Sequence, residues 1–173
     1  IACLDSDDMW LPNKLERQLS HALEMQADFI FTGSSFMNRA GKPYKGILSV
    51  PERVTYRQLK VNNIISCSSV LIKKDLICNN IMLQGDFHED YVAWLAILMK
   101  GVTAYGMNEP LLVYRITRES QSGNRFRSLR RTYGSYRQVG IGWFYSLILL
   151  SVNACLATRK YWRIKAGLQG ARP

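Results

Sequence analysis

Hydrophobic positions along the chain change rhythm several times, and each change marks an element. Ile1 to Leu4 is a continuous apolar run stopped by Asp5-Ser6-Asp7-Asp8, the pattern of a buried parallel-sheet strand whose end faces solvent. Pro12 then opens a helix. Leu15, Leu19, Ala22 and Leu23 fall at i, i+4, i+7 and i+8, so one apolar stripe is expected to face the core, with Lys14, Glu16, Arg17 and Glu24 outside it. Phe29 to Thr32 reads as the next strand, Asn38 to Lys42 with Gly41 as a turn, and Ile47 to Val50 as the strand beyond it. Thr55 and Gln58 have capping-box spacing, which predicts a short helix reaching about Asn62.

Ser69 to Ile72 is rich in β-formers, and Asp75 to Gln84 is irregular or weakly helical. Tyr91 to Met99 is apolar nearly all round, follows His88-Glu89-Asp90 and ends in Lys100-Gly101. It predicts a buried helix with two carboxylates in its first turn. Val102 to Tyr105 and Leu111 to Tyr114 read as two strands separated by a turn at Asn108-Glu109-Pro110. Beyond Arg115 the strands stop. The order of elements is that of an α/β domain with a mixed sheet flanked by helices, followed by a helical tail that is basic, then apolar, then basic.

Charge sharpens this division. The formal net charge is +10, yet residues 1–114 carry 11 basic and 12 acidic groups, while 115–173 carry 12 basic groups and only Glu119. A body without excess cations is not a nucleic-acid grip, so nucleic acid is excluded as a partner; a basic tail suits an anionic surface. Residues 138–158 hold no charge over 21 positions, close to the ~20 that a membrane-crossing helix needs, but polar residues dilute them. Cations flank both ends, with Arg130, Arg131 and Arg137 before and Arg159, Lys160, Arg163 and Lys165 after, so the asymmetry of a spanning helix is missing. Three placements follow: an in-plane interfacial anchor bearing Trp143, Phe144, Tyr145, Tyr161 and Trp162, which is preferred, a helix hairpin packed on the domain, and a span. Cys3, Cys67, Cys78 and Cys155 are widely spaced among apolar neighbours, which predicts buried reduced thiols, neither zinc nor a disulfide scaffold, and a cytosolic setting.

Chemistry concentrates at the acidic turn. In an extended strand Asp5 and Asp7 point to the same side, and Asp8 adds a third carboxylate. Crowded acids repel unless a cation joins them, and Mg²⁺ or Mn²⁺ takes one or two carboxylates together with phosphate oxygens. The carboxyl end of a strand is also where open α/β sheets bind ligands. Alternatively, these acids cap the Pro12 helix or solvate a loop. Context decides between the two. The stretch Leu4-Asp5-Ser6-Asp7-Asp8-Met9-Trp10-Leu11-Pro12-Asn13-Lys14-Leu15 resembles the D-x-D-D-x-W-x-P-x-K-L signature of family-2 glycosyltransferases of the GT-A fold. His88-Glu89-Asp90-Tyr91-Val92-Ala93-Trp94-Leu95 is similar to that family's E-D-[YF]-x-x-W-L segment. Tyr114-Arg115 with Ser120-Gln121-Ser122 resembles its Y-R-x-x-x-x-S-x-S strand exit.

The resemblance spans residues 1–123 and is nearest to bacterial transferases that build capsule, teichuronic-acid or lipopolysaccharide glycans. It implies a partial GT-A (Rossmann-like) catalytic domain over 1–123, with 124–173 as the membrane-associated tail. It also implies inverting, metal-dependent transfer of a sugar from a nucleotide sugar, such as a UDP-sugar, to a glycan or lipid-linked acceptor on the inner face of the cell membrane. Asp7 would bind Mn²⁺ or Mg²⁺, shared by Asp8. Asp5 would meet the ribose or donor sugar, and Arg115 and Ser120 the donor or acceptor. Asp90 would be the general base, with Glu89 as its alternative, and Ser66, Ser68 and Ser69 would lie on the acceptor side. Asp90, at a helix N-terminus, is expected to stay ionised at neutral pH.

The family's first strand and its nucleotide-gripping D-D-x-S segment have no counterpart, and the chain opens on Ile1 within an apolar run. The expectation is therefore a C-terminal portion that lacks roughly eighty residues and much of its nucleotide pocket, on domain sizes of ~100–200 residues. Two other readings stand beside it: a catalytically inactive, membrane-associated remnant, and a haloacid-dehalogenase-like phosphohydrolase. The latter shares a strand ending in D-x-D, but Met9 stands where its motif takes Thr or Val, and Trp10, Pro12 and the Glu89-Asp90 context go unexplained.

Overall fold

The computed structural model describes residues 1–77, 85–116 and 125–166. Its centre is a pair of long parallel strands, β2 (Phe29–Asn38) and β5 (Ala104–Ile116). The short β1 (Met9–Trp10) and β3 (Arg53–Val54) pair antiparallel with β5, and β4 (Val70–Ile72) pairs antiparallel with β2. Around this mixed sheet lie α1 (Lys14–Glu24), α2 (Tyr56–Leu59), α3 (Lys74–Ile77) and α4 (Glu89–Met99), and α5 (Arg125–Gln138) and α6 (Trp143–Ala166) follow. This is the expected Rossmann-like, GT-A-like arrangement with a C-terminal helical segment.

The local signals behave as physical chemistry dictates. Gln58 Oε1 accepts from the Thr55 N–H at 2.8 Å and starts α2. Gly41 and Gly101 adopt φ of +80° and +90°, closing the turn after β2 and ending α4. Helix α4 is buried nearly all round, with Tyr91, Trp94 and Leu95 fully inside, and Trp94 packs on Phe29 of β2 at a ring separation of 5.1 Å.

Four expectations are corrected. The Ile1–Leu4 run forms no strand: Ala2 makes a single antiparallel bridge to Leu71, and Ile1 and Leu4 are exposed, because this segment gains a backbone partner on one side only. The two strands expected over 102–114 are one. Asn108-Glu109-Pro110 bulges over Gly33, where the register against β2 shifts and an added Cβ would sit 2.8 Å from the Leu48 carbonyl oxygen. Ile47 to Val50 contributes one bridge, Leu48 to Ser34, and no strand. Finally, α1 is turned around. Lys14 and Gln18 are fully buried, while Leu15, Leu19 and Leu23 are 45, 56 and 72% exposed.

The buried face of α1 earns its place through polar contacts. Lys14 Nζ donates to Gln18 Oε1 at 2.6 Å and stands 4.2 Å from the Trp10 ring centre, and Gln18 Nε2 donates to the Ser69 carbonyl at 2.9 Å. Desolvation lowers the Lys14 pKa to about 8. Helices α5 and α6 join the core through Tyr136, Ile141 and Leu149, and no helix among the described residues is long and apolar enough to cross a membrane. The thiols are less buried than expected: Cys3 and Cys67 are half-buried and Cys155 is exposed, all three unbridged, and Cys78 lies outside the described residues.

The inverted α1 gives a direct test. Leu19→Gln is expected to change unfolding free energy by no more than about 0.5 kcal/mol, against about 3–5 kcal/mol for Trp94→Ala, in urea titrations followed by circular dichroism.

Candidate active site

One cleft of about 750 Å³ collects the sequence's acidic motifs. Asp5 and Asp7 enter it from the turn before β1, Glu89 and Asp90 from the first turn of α4, and Ser66 and Cys67 from the segment before β4. Tyr114 closes it from β5, and Ser128, Thr132, Asn153, Ala157 and Lys160 close it from α5 and α6. Carboxylates some 80 residues apart in sequence thus face one space, and the helical tail supplies one of its walls.

The acidic turn is held by hydrogen bonds that the sequence does not advertise. Ser68, fully buried, accepts the Asp5 N–H on its Oγ at 3.1 Å, and Trp10 Nε1 donates to the Ser68 carbonyl at 2.7 Å. Arg115 secures the other side: its N–H donates to Asp8 Oδ1 at 3.0 Å, and its guanidinium Nε donates to the Asp7 carbonyl at 2.8 Å. The same guanidinium reaches the Arg39 carbonyl at 3.2 Å. Asp8 therefore turns inward, and only Asp5 and Asp7 of the three reach the cleft. Ser120 lies outside the described residues. Ser69 Oγ donates to the Ser66 carbonyl at 2.7 Å, so of the three serines Ser66 is left to line the cleft and the others hold the wall.

Burial dominates the electrostatics. Asp90 is raised to about 6, first by desolvation, then by the charges of Asp5 and Glu89; the Tyr91 N–H, 2.8 Å from its Oδ1, pulls the other way. The free N–H at the helix start favours the charged form, as its position in the sequence predicts, and burial outweighs it. Asp90 remains mostly ionised at pH 7, and a base poised just below the operating pH is an effective proton acceptor. Asp5 and Asp8 are raised for the same leading reason, while burial lowers the His88 imidazole; the His88 backbone N–H donates to Ser135 Oγ at 3.1 Å.

For a divalent cation the donor chemistry fits in part. Asp7 offers a cleft-facing carboxylate, and Asp8 Oδ2 is a buried oxygen without a hydrogen-bond partner. Among the described residues no group of three or more His, Cys, Asp or Glu side chains converges to hold a metal, so phosphate oxygens would have to complete the shell. The site residues that sequence reasoning missed come from two sources. Asn63, whose buried Oδ1 lacks a partner, sits in a segment without a motif. Thr132, Asn153 and Lys160 lie in the tail, whose composition pointed outward to a membrane and concealed its inward face.

The Asp90 shift carries a stability consequence. An acid whose folded pKa, about 6, exceeds its unfolded 3.8 binds more protons when folded, so stability falls as pH rises through that window. Asp90→Asn is thus expected to raise the thermal midpoint at pH 7, with the gap closing as pH falls to about 4. Calorimetry across that range checks it, and a gap independent of pH would contradict the assignment.

No protein-family profile matches the chain. Individual proteins do. The "Putative teichuronic acid biosynthesis glycosyltransferase TuaG" of Bacillus subtilis (strain 168) is 39% identical over 139 residues, covering 80% of this chain and 55% of that protein. The UDP-Glc:alpha-D-GlcNAc-diphosphoundecaprenol beta-1,3-glucosyltransferase WfgD of Escherichia coli is 33% identical over 134 residues, 77% of this chain and 52% of its own. The O-antigen biosynthesis glycosyltransferase WbnJ of Escherichia coli is 32% identical over 123 residues, 69% and 48%. The chain spans about half the length of these relatives. Sequence likeness and GT-A-like architecture together make this chain a relative of the glycosyltransferases of bacterial surface-polysaccharide synthesis.

Proposed function

We propose that the cleft carries out inverting sugar transfer from a nucleotide sugar, such as a UDP-sugar, to a glycan or lipid-linked acceptor. The observation that carries this reading is the meeting of Asp5 and Asp7 with Asp90 across one open space. Asp90 takes the proton from the acceptor hydroxyl as that oxygen bonds to the anomeric carbon. The bond from that carbon to the diphosphate oxygen breaks on the opposite face, and the nucleoside diphosphate leaves with the electron pair. Glu89, its neighbour in the same turn, keeps the local field negative and is the alternative base.

Asp7, with Asp8 behind it, would hold Mn²⁺ or Mg²⁺, which when bound supplies Lewis-acid stabilisation of the leaving diphosphate. Asp5 faces the ribose or donor sugar. Arg115 contributes by fixing the acidic turn, and the motif assigns Ser120 a contact with the donor. The relatives named for diphosphoundecaprenol-linked and O-antigen chemistry support a lipid-linked acceptor, and the basic tail supports a peripheral position on the inner face of the cell membrane.

In the native protein, Asp90→Asn is expected to lower turnover by ~10²–10⁴-fold with donor affinity nearly unchanged, and wild-type turnover should fall on the acid side with a midpoint near the Asp90 value of about 6. Asp7→Asn should abolish Mn²⁺-dependent nucleotide-sugar binding measured by calorimetry. Full turnover in either variant would refute its assigned role, and a larger loss in Glu89→Gln than in Asp90→Asn would move the base to Glu89.

A further inference from the structure

Helix α6 has two faces with different tasks. Ser146, Leu149, Asn153, Ala157 and Lys160 recur every three or four residues and point at the protein: Ser146 and Leu149 are buried, and the last three line the cleft. Half a turn away, Phe144, Ile148, Cys155, Arg159 and Trp162 form an exposed stripe, flanked by Leu147, Val152 and Arg163. Phe144 and Trp162 are 64 and 66% exposed. Protein thus covers one side of this helix and leaves large apolar side chains of the other side exposed.

We propose that the outer face of α6 seats on an anionic bilayer, in its plane, and that the helix acts as a spacer: its inner face, with Lys160, receives the phosphate of a lipid-borne sugar acceptor. The occupant follows from charge. The apolar half of the stripe runs into Arg159 and Arg163, and residues 115–173 hold 12 basic groups against Glu119 alone. Exposed Trp143, Tyr145 and Trp162 suit the level of lipid headgroups. A helix with side chains is about 10–12 Å across, so the cleft stands roughly that far above the apolar plane. That spacing suits a sugar raised on a phosphate linker better than a hydroxyl of the lipid headgroup itself. Among the described lining residues Lys160 is the one Lys or Arg, and it belongs to the helix that such a linker must pass.

This deepens the transferase reading and rests on it only for the acceptor; the membrane seat stands independently. The test is sedimentation of the chain with phosphatidylcholine vesicles, with or without phosphatidylglycerol. Binding should require the anionic lipid and weaken with salt. Arg159→Gln with Arg163→Gln should reduce partitioning about thirtyfold, and Phe144→Asp with Ile148→Asp should release the protein. Leu19→Asp with Leu23→Asp, on the other exposed apolar face, should leave binding within about twofold. Unchanged binding of either α6 variant, equal binding to neutral vesicles, or release by the α1 variant would overturn the membrane seat, with circular dichroism confirming that each variant is folded.

For the inner face, neutral vesicles carrying a polyprenyl diphosphate should retain the protein better than a charge-matched amount of phosphatidylglycerol. Lys160→Gln should lose that preference while still binding anionic vesicles. No preference in the wild type, or a preference that survives Lys160→Gln, overturns the Lys160 assignment. Loss of transfer with both vesicle results intact would instead count against the transferase reading alone.

Discussion

Everything in this molecule hangs on the parallel pairing of β2 with β5. Parallel strands need long crossovers, and the crossover between these two contains β3, α2, β4, α3 and α4, so their pairing gathers the middle of the chain onto one sheet. The far end of β5 delivers Arg115 to the acidic turn, while the first residue of β2, Phe29, anchors Trp94 and with it the helix that carries Asp90. The two halves of the candidate site are thereby located from opposite ends of the same strand pair. The pairing is interrupted once, at Gly33. There the bulge carrying Glu109 passes so close that a side chain cannot fit, and Arg17 of α1 reaches across to pair with Glu109.

The cleft concentrates negative charge and leaves it only partly neutralised. Asp5, Asp7, Glu89 and Asp90 share it with one lining cation among the described residues, Lys160, and Arg115, which braces the acidic turn, directs its guanidinium to backbone carbonyls. The folded state thus bears burial and repulsion among these carboxylates, the kind of perturbation that gathers at functional sites. Arg115 makes the arrangement rigid without quenching it, which is what a site needs if its charge is to be answered by a proton or a cation that arrives with the substrate.

Much of this was legible in the sequence where a signal is local. The capping pair Thr55 and Gln58, the positive-φ glycines at 41 and 101, and the all-round apolar helix after Glu89-Asp90 each carry their own short-range physics. Of the motif acids, Asp5, Asp7, Glu89 and Asp90 meet in one cleft, and Asp8 does not reach it. What escaped was set by partners distant in sequence. Nothing in the periodicity of α1 says that Lys14 and Gln18 will find Trp10 and the Ser69 carbonyl and turn inward while the leucines face out. Similarly, Asn108-Glu109-Pro110 has the composition of a turn, and only the strand beside it makes it a bulge. Lys160 reads, from sequence, as one of the cations flanking the apolar stretch, because a two-faced helix shows its inner face only against the wall it completes.

The approach of α5 to the chain just before α4 is the tightest junction between the tail and the rest. An added Cβ at Gly134 would lie 2.8 Å from the Asp86 carbonyl oxygen, and the next residue, Ser135, accepts the N–H of His88. Packed interiors transmit displacement because they have so little room to absorb it. A side chain at Gly134 would therefore displace the segment that leads into the turn holding Asp90, so the tail and that turn have to be accommodated together. Glycine at 134 is thus a condition on the position of the proposed base, set from a helix some forty residues away in sequence.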